Sequence, residues 1–176
     1  MAGAGANVGI LDVNEEVGNL LVAELNEYVP VIRCSDGWFS DGADAECNRR
    51  ACFASADVSN WNSLLTAFET VYGRFGSLDV VYANAGINSF DNLLEDEIDE
   101  GGRLKAPALK NVEINFHGPL LTTKAAVYFF QKQGGQKKYQ LVITGSAARY
   151  VMQELAWHWY LLLNSAHNSL TMQSLQ

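Results

Sequence analysis

A chain of 176 residues with 48% hydrophobic and 18% charged side chains has enough apolar material for one packed domain, which argues against a disordered polypeptide. Its net charge of −8 repels a phosphate backbone, so nucleic acid is not expected as a partner. Met1-Ala-Gly-Ala-Gly-Ala carries neither a basic stretch nor an apolar run, and no apolar stretch reaches the roughly 20 residues of a membrane span, so a cytoplasmic protein without membrane association is expected.

In chain order, short β-branched runs alternate with segments of helical period, the pattern of a parallel sheet covered by helices. Val8 to Asp12 reads as a strand. Asn14 to Tyr28 reads as a helix with Val17, Leu20, Leu21 and Leu25 at helical spacing and Asn14 as its cap. Arg33 to Arg50, polar and rich in Gly and Asp, reads as a long loop. Ala51 to Val58 is a second strand, and Ser59 is expected to cap the next helix. There Trp61, Leu64, Leu65, Phe68, Val71, Tyr72 and Phe75 define one apolar face, and Gly76 stops it. Leu78 to Ala83 is a third strand and Asp91 to Pro107 an acidic loop. Leu109 to Gln133 is a long helix, apolar on more than one face, which implies cover on two sides. Gln140 to Thr144 is a fourth strand, and a helix from about Trp157 runs to the end. One domain over residues 1–176 is expected.

Several short motifs carry possible chemistry. Gly3-Ala-Gly5-Ala-Asn-Val-Gly9 imitates a phosphate-binding glycine loop, but such a loop follows a strand and opens a helix. Here a strand follows Gly9, so a turn entering that strand is the better reading. Asp12 at its strand end can accept hydrogen bonds from ribose hydroxyls, or can simply cap a turn. Asp57-Val58, at the next strand end, is mute by itself. Asn84-Ala85-Gly86 ends a strand in small residues that let a ligand approach the backbone, or forms a plain turn. Ser146 follows a buried strand, at the edge where open α/β sheets bind ligands. Tyr160 lies near a helix start. A tyrosine with pKa near 10 needs an adjacent positive charge to act at neutral pH, and the position four residues on holds Asn164. The acidic run from Glu95 to Glu100 lacks calcium-loop spacing and reads as solvated loop. Three cysteines, Cys34, Cys47 and Cys52, with no histidine at zinc-finger spacing, suit neither a disulfide framework nor a zinc site, so no metal is expected.

Taken in order, these residues resemble the classical short-chain dehydrogenase/reductase family. Asp12 matches its acidic residue after the second strand, Asp57-Val58 the pair near the adenine, and Asn84-Ala85-Gly86 its Asn-Ala-Gly. Asn115 in Asn115-Phe-His-Gly118 matches the helix asparagine, Ser146 the serine that holds the substrate oxygen, and Tyr160 the acid–base tyrosine. Ser165-Ala166 matches the small pair after the family lysine, whose own place is taken by Asn164. The stretch from Asn88 to Gln133 is similar to the 15-hydroxyprostaglandin dehydrogenase-like subgroup.

The resemblance implies a Rossmann-like parallel sheet with flanking helices and a reversible hydride transfer between a nicotinamide cofactor and a secondary alcohol or ketone. Catalytic roles fall to Asn115, Ser146, Tyr160 and the altered position Asn164. Cofactor binding falls to Asp12, Asp57, Val58, Asn84, Ala85 and Gly86, with Asp12 favouring NAD over NADP. It also implies self-association through helices 109–133 and 157–176. Against the family pattern, the first strand with its Thr-Gly-x-x-x-Gly-x-Gly loop and the last strands are expected to be lacking. That strand would lie between those ending at Asp12 and Asn84, so these two either pair directly or leave a divided, marginal sheet. With Asn164 as well, the expectation is impaired activity. The alternative is a non-catalytic relative that acts through helix association.

Overall fold

A computed structural model describes residues 6–28, 50–88, 97–134 and 138–145. In chain order it contains β1 (Val8–Asp12), α1 (Glu15–Tyr28), β2 (Ala51–Ser55), α2 (Trp61–Phe75), β3 (Val80–Ala83), α3 (Lys110–Val112), a π-helical turn (Glu113–His117), α4 (Gly118–Lys132) and β4 (Gln140–Ile143). Both strand pairs are parallel, in the α/β, Rossmann-like manner expected. The long loop from 33 and the helix from 157 lie outside the described residues, Arg50 excepted. By contacts the chain divides into two compact units, Met1–Asp57 with Leu65–Gly76, and Val58–Leu64 with Ser77–Gln176.

In the first unit, β1 and β2 pair from Val8↔Ala51 to Asp12↔Ser55. The Ala56 N–H donates to the Asp12 carbonyl at 3.0 Å and closes the ladder, so β2 ends at Ser55 and not at Val58 as expected. Asn14 caps α1 as its position foretold, its Oδ1 accepting the Val17 N–H at 3.1 Å. The far end of α1 is tied to β2 by a reciprocal pair. Asn26 Oδ1 accepts the Ala51 N–H at 2.9 Å, and Asn26 Nδ2 donates to the Ala51 carbonyl at 3.3 Å.

The stripe Val17, Leu20 and Leu21 is exposed, and among the described side chains of α1 the buried position is Gly18. A side chain at Gly18 would overlap the Phe53 ring, so the helix is seated through its smallest residue rather than its largest. Gly9 plays the same part for Val71 on α2, whose Cγ1 lies 2.5 Å from where a Cβ would stand. Gly9→Ala is therefore expected to cost about 1–3 kcal/mol by overpacking, since a β-branched Val in a helix has one strongly preferred rotamer. Adding Val71→Ala should recover part of that loss, a non-additivity readable in urea denaturation of the two single variants and the double.

Helix α2 has the predicted bounds, and Gly76 takes φ +73° at its end, its N–H donating to the Tyr72 carbonyl at 2.7 Å. Its cap is Asn60, not Ser59: Asn60 Oδ1 accepts the Ser63 N–H at 3.0 Å. The residue directly before the first helical position reaches that donor, and here that residue is Asn60.

In the second unit β3 pairs with β4 from Val80↔Gln140 to Ala83↔Ile143. β3 starts at Val80, two residues later than expected, because both backbone groups of Leu78 are engaged by the Gln133 side chain. Val81 and Ala83 are buried, as are Ala125, Ala126, Phe129 and Phe130 of α4. The two alanines let this helix lie close, and Phe130 stacks on Tyr139 at 4.9 Å beside β4. The expected single helix over 109–133 is interrupted by the π turn, where the Gly118 N–H reaches five residues back to the Glu113 carbonyl. Pro119 explains it, having no N–H to offer the Asn115 carbonyl at ordinary α spacing. The described end of the acidic loop is more ordered than expected. Ile98 bridges Leu104 in antiparallel fashion, and Asp99 Oδ1 accepts the Gly101 and Arg103 N–H groups at 2.9 Å each.

Among the described residues the strands form two two-stranded parallel sheets, β1 with β2 and β3 with β4, and no ladder joins β1 to β3.

Candidate functional site

Parallel strands place their carboxyl ends along one edge, and open α/β sheets bind ligands there. In the first unit that edge carries Asp12 and, two residues beyond β2, Asp57, both exposed. Asp12 Oδ1 accepts the Asn14 N–H at 2.9 Å, which is the turn-capping role. Its second carboxylate oxygen makes no hydrogen bond among the described residues, so capping and ribose binding are compatible.

In the second unit Asn84, Ala85 and Gly86 leave β3 with their backbone exposed. Asn84 Oδ1 accepts the Thr144 hydroxyl at 2.8 Å, tying this segment to the end of β4. Behind it stands Asn115. Its Oδ1 accepts the Ile87 N–H and its Nδ2 donates to the Ile87 carbonyl, each at 2.8 Å. A Cβ at Gly86 would lie 3.3 Å from that same Oδ1, so the glycine keeps the clasp close. Asn84, Gly86 and Asn115, chosen from sequence, are thus brought together. Val58 serves as packing: a Cβ on Gly118 would come within 2.8 Å of its Cγ2, so the glycine admits it beside the start of α4.

Ser146, Tyr160 and Asn164 lie outside the described residues, as do Ser165 and Ala166. Thr144, Ile87 and Gln133 escaped the sequence reading. A threonine one place past a strand was legible as an edge hydroxyl, but nothing local marks the other two. Among the described residues no three His, Cys, Asp or Glu side chains gather as a metal site. Cys52 is a free thiol, pushed up by desolvation and drawn back in part by the Arg74 guanidinium, so it stays protonated at neutral pH. The first unit offers a carboxylate at its strand ends, and the second offers amides, a hydroxyl and an exposed Asn84–Gly86 segment, each able to bind a polar ligand.

The model of the short chain dehydrogenase family matches residues 40–160, more than half of the chain. The chain belongs to the short-chain dehydrogenase family. A relative named short-chain dehydrogenase/reductase prx4, from Penicillium rubens, is 38% identical over 109 residues, covering 62% of this chain and 31% of its own. The trans-4-hydroxycyclohexanecarboxylate dehydrogenase of Sinomonas cyclohexanicum is 31% identical over 135 residues, 77% of this chain and 44% of that one. This short-chain dehydrogenase therefore spans a third to under half of the length of these relatives. The 3-ketoacyl-(acyl-carrier-protein) reductase of Brucella melitensis, solved with NADH, superposes with a TM-score of 0.70 at 21% identity, over 97% of this chain and 58% of that one. An alcohol dehydrogenase from Thermococcus sibiricus, solved with 5-hydroxy-NADP, gives 0.65 at 22%, over 96% and 59%. At such identities the likeness concerns the fold. These matches support the family and do not confirm the narrower likeness to the 15-hydroxyprostaglandin dehydrogenase-like subgroup.

Proposed function

We propose that this short-chain dehydrogenase is an NAD(P)-dependent oxidoreductase acting on a secondary alcohol or ketone, with turnover lowered by Asn164. The observation that carries the reading is the cluster at the end of β3, where Asn115 clasps Ile87 behind Gly86 and leaves Asn84-Ala85-Gly86 exposed. Those residues fit a nicotinamide nucleotide, because an exposed backbone with no side chain at Gly86 admits a flat polar ligand. Asp12 would hold the ribose hydroxyls, Asp57 and Val58 would border the adenine, and the Asn84–Gly86 backbone would flank the rest. The bound nucleotide supplies the hydride acceptor or donor.

Ser146 would hold the substrate oxygen and Tyr160 would move its proton, while Asn115 would keep the adjoining backbone in place. A cation at position 164 would favour the Tyr160 phenolate, and each pKa unit that Asn164 does not supply costs about 1.4 kcal/mol. Calorimetric titration with NADH tests the reading. One equivalent should bind, with Kd between about 10 µM and 1 mM. Heat indistinguishable from dilution at several times that concentration would remove it.

Asp12 is expected to set the preference for NAD. A carboxylate repels a 2′-phosphate and accepts from free ribose hydroxyls. Asp12→Ser should weaken NADH binding about tenfold and strengthen NADPH binding, as charged hydrogen bonds are worth about 1.5–3 kcal/mol. Equal affinities for both nucleotides before and after the change would remove Asp12 from this role.

A second reading rests on the exposed Leu120 and Tyr128 of α4. It makes the chain a non-catalytic member that self-associates through α4, with the segment 157–176 as a second contact. Sedimentation of the Leu120→Glu, Tyr128→Glu double variant separates the two readings. A dimer lost together with no NADH binding in the parent chain favours the second. No helix among the described residues is long and apolar enough to cross a membrane.

A further inference from the structure

We infer that Gln133 is a positioning residue, one that sets the axial register of α4 along β3 and through that register seats Asn115 against Ile87. Gln133 Oε1 accepts the Leu78 N–H at 2.8 Å, and its Nε2 donates to the Leu78 carbonyl at 2.9 Å. Asn115 makes the same reciprocal pair with Ile87, at 2.8 Å in both directions. Leu78 lies just before β3 and Ile87 just after it, so one strand is held at both ends by amides from one helical run.

The spacing of the two amides fits this role. Asn115 and Gln133 stand at the two ends of one continuous run, Asn115 in the π turn and Gln133 directly after α4, eighteen residues apart. A primary amide facing a peptide unit offers one donor and one acceptor at fixed separation, so each clasp tolerates little sliding. A helix packed on a sheet only through Ala125, Ala126, Phe129 and Phe130 has no comparable directional restraint, since apolar contact is non-directional. Slipping by one residue moves α4 by about 1.5 Å, enough to break both amide pairs. The π turn at Glu113–His117 carries Asn115 itself, so its clasp on Ile87 is presented from the wider turn while Gln133 holds the far end of α4. Gln133 thereby acts on Asn84-Ala85-Gly86 from the opposite end of the helix.

This inference goes beyond the oxidoreductase reading, and its test needs no cofactor, so either can fail without the other. Amide hydrogen exchange is measured on the full chain, on Gln133→Met, which keeps length and helix propensity, and on Gln133→Glu, which keeps only the acceptor. In Gln133→Met, exchange at Leu78 should rise about tenfold and at Ile87 about fivefold, with Val81 changed less than twofold. Gln133→Glu should fall between that variant and the parent at both sites. In the reverse direction Asn115→Leu should speed exchange at Leu78. Faster exchange at Leu78 with Ile87 unchanged would make Gln133 a purely local cap and overturn the inference. So would acceleration in both Gln133 variants with Ile87 showing no excess over Val81, because that pattern is general loosening and not lost register.

Discussion

Phe129→Ala is expected to remove about 3–5 kcal/mol from the stability of the second unit. Phe129 is 1% exposed and lies on the buried face of α4 with Ala125, Ala126 and Phe130, the face that packs on β3. Two of those neighbours are alanines, already at minimum size, so the space left by the ring cannot be closed by side chains leaning in. The cost therefore includes the cavity as well as the lost transfer energy. A domain holds only about 5–15 kcal/mol in total, and a two-stranded parallel sheet has little other burial to fall back on. Urea denaturation followed by circular dichroism reads the effect. Tyr128→Ala is the control, because that ring is 52% exposed and its removal should cost under about 1 kcal/mol. Equal losses for the two rings would mean that α4 does not bury the face assigned to it.

The second large effect concerns chemistry. Asn164→Lys is expected to raise the rate of alcohol oxidation about tenfold to a hundredfold near neutral pH. The sign follows from the charge. A cation four residues from Tyr160 in sequence is expected to favour the phenolate, so the tyrosine would fall below its usual pKa of about 10 and a larger fraction would be basic at pH 7 to 8. Each unit of lowering is worth about 1.4 kcal/mol, or tenfold in the basic fraction. The rising limb of kcat/KM against pH should move to lower pH in the variant. Adding Tyr160→Phe should abolish the gain, because the lysine then has no phenolate to stabilise. A gain that survives Tyr160→Phe would show that the lysine acts elsewhere, on the nucleotide for instance. No gain, in a chain that still binds NADH, would place the defect outside position 164.

Local chemistry made most elements legible. The cap Asn14, the i, i+3, i+4 face from Trp61 to Phe75 and the stop at Gly76 each act over a few residues, and all three stand in the structure where sequence spacing put them. Errors arose where two local signals competed or where a partner from elsewhere intervened. Ser59 and Asn60 are both good caps, and only backbone geometry chooses between them. The apolar residues of α1 predicted a buried stripe. Gly18 is buried instead, because Phe53 from β2 occupies that approach. The interruption of the 109–133 helix had a signal in Pro119, which the apolar pattern of that stretch does not register. Strand ends shifted by two or three residues because a distant partner decides them: β2 stops where its pairing with β1 stops, and β3 starts late because Gln133 engages Leu78.

The sequence by itself determined the family and the order of the site residues, because motif chemistry is carried by residue identity and by spacing along the chain. It also determined where helices begin and end to within a turn, because caps and stops work through neighbouring backbone groups. Only the tertiary structure decided that β1 pairs with β2 and β3 with β4, since strand pairing is a choice among distant partners that no local period encodes. Only it showed that Asn115 spends its amide on Ile87, with Gln133 matching it on Leu78 at the other end of the strand. A reciprocal amide pair needs two groups in fixed mutual orientation across 28 or 55 residues of chain, and that orientation exists only once the helix has packed on the sheet.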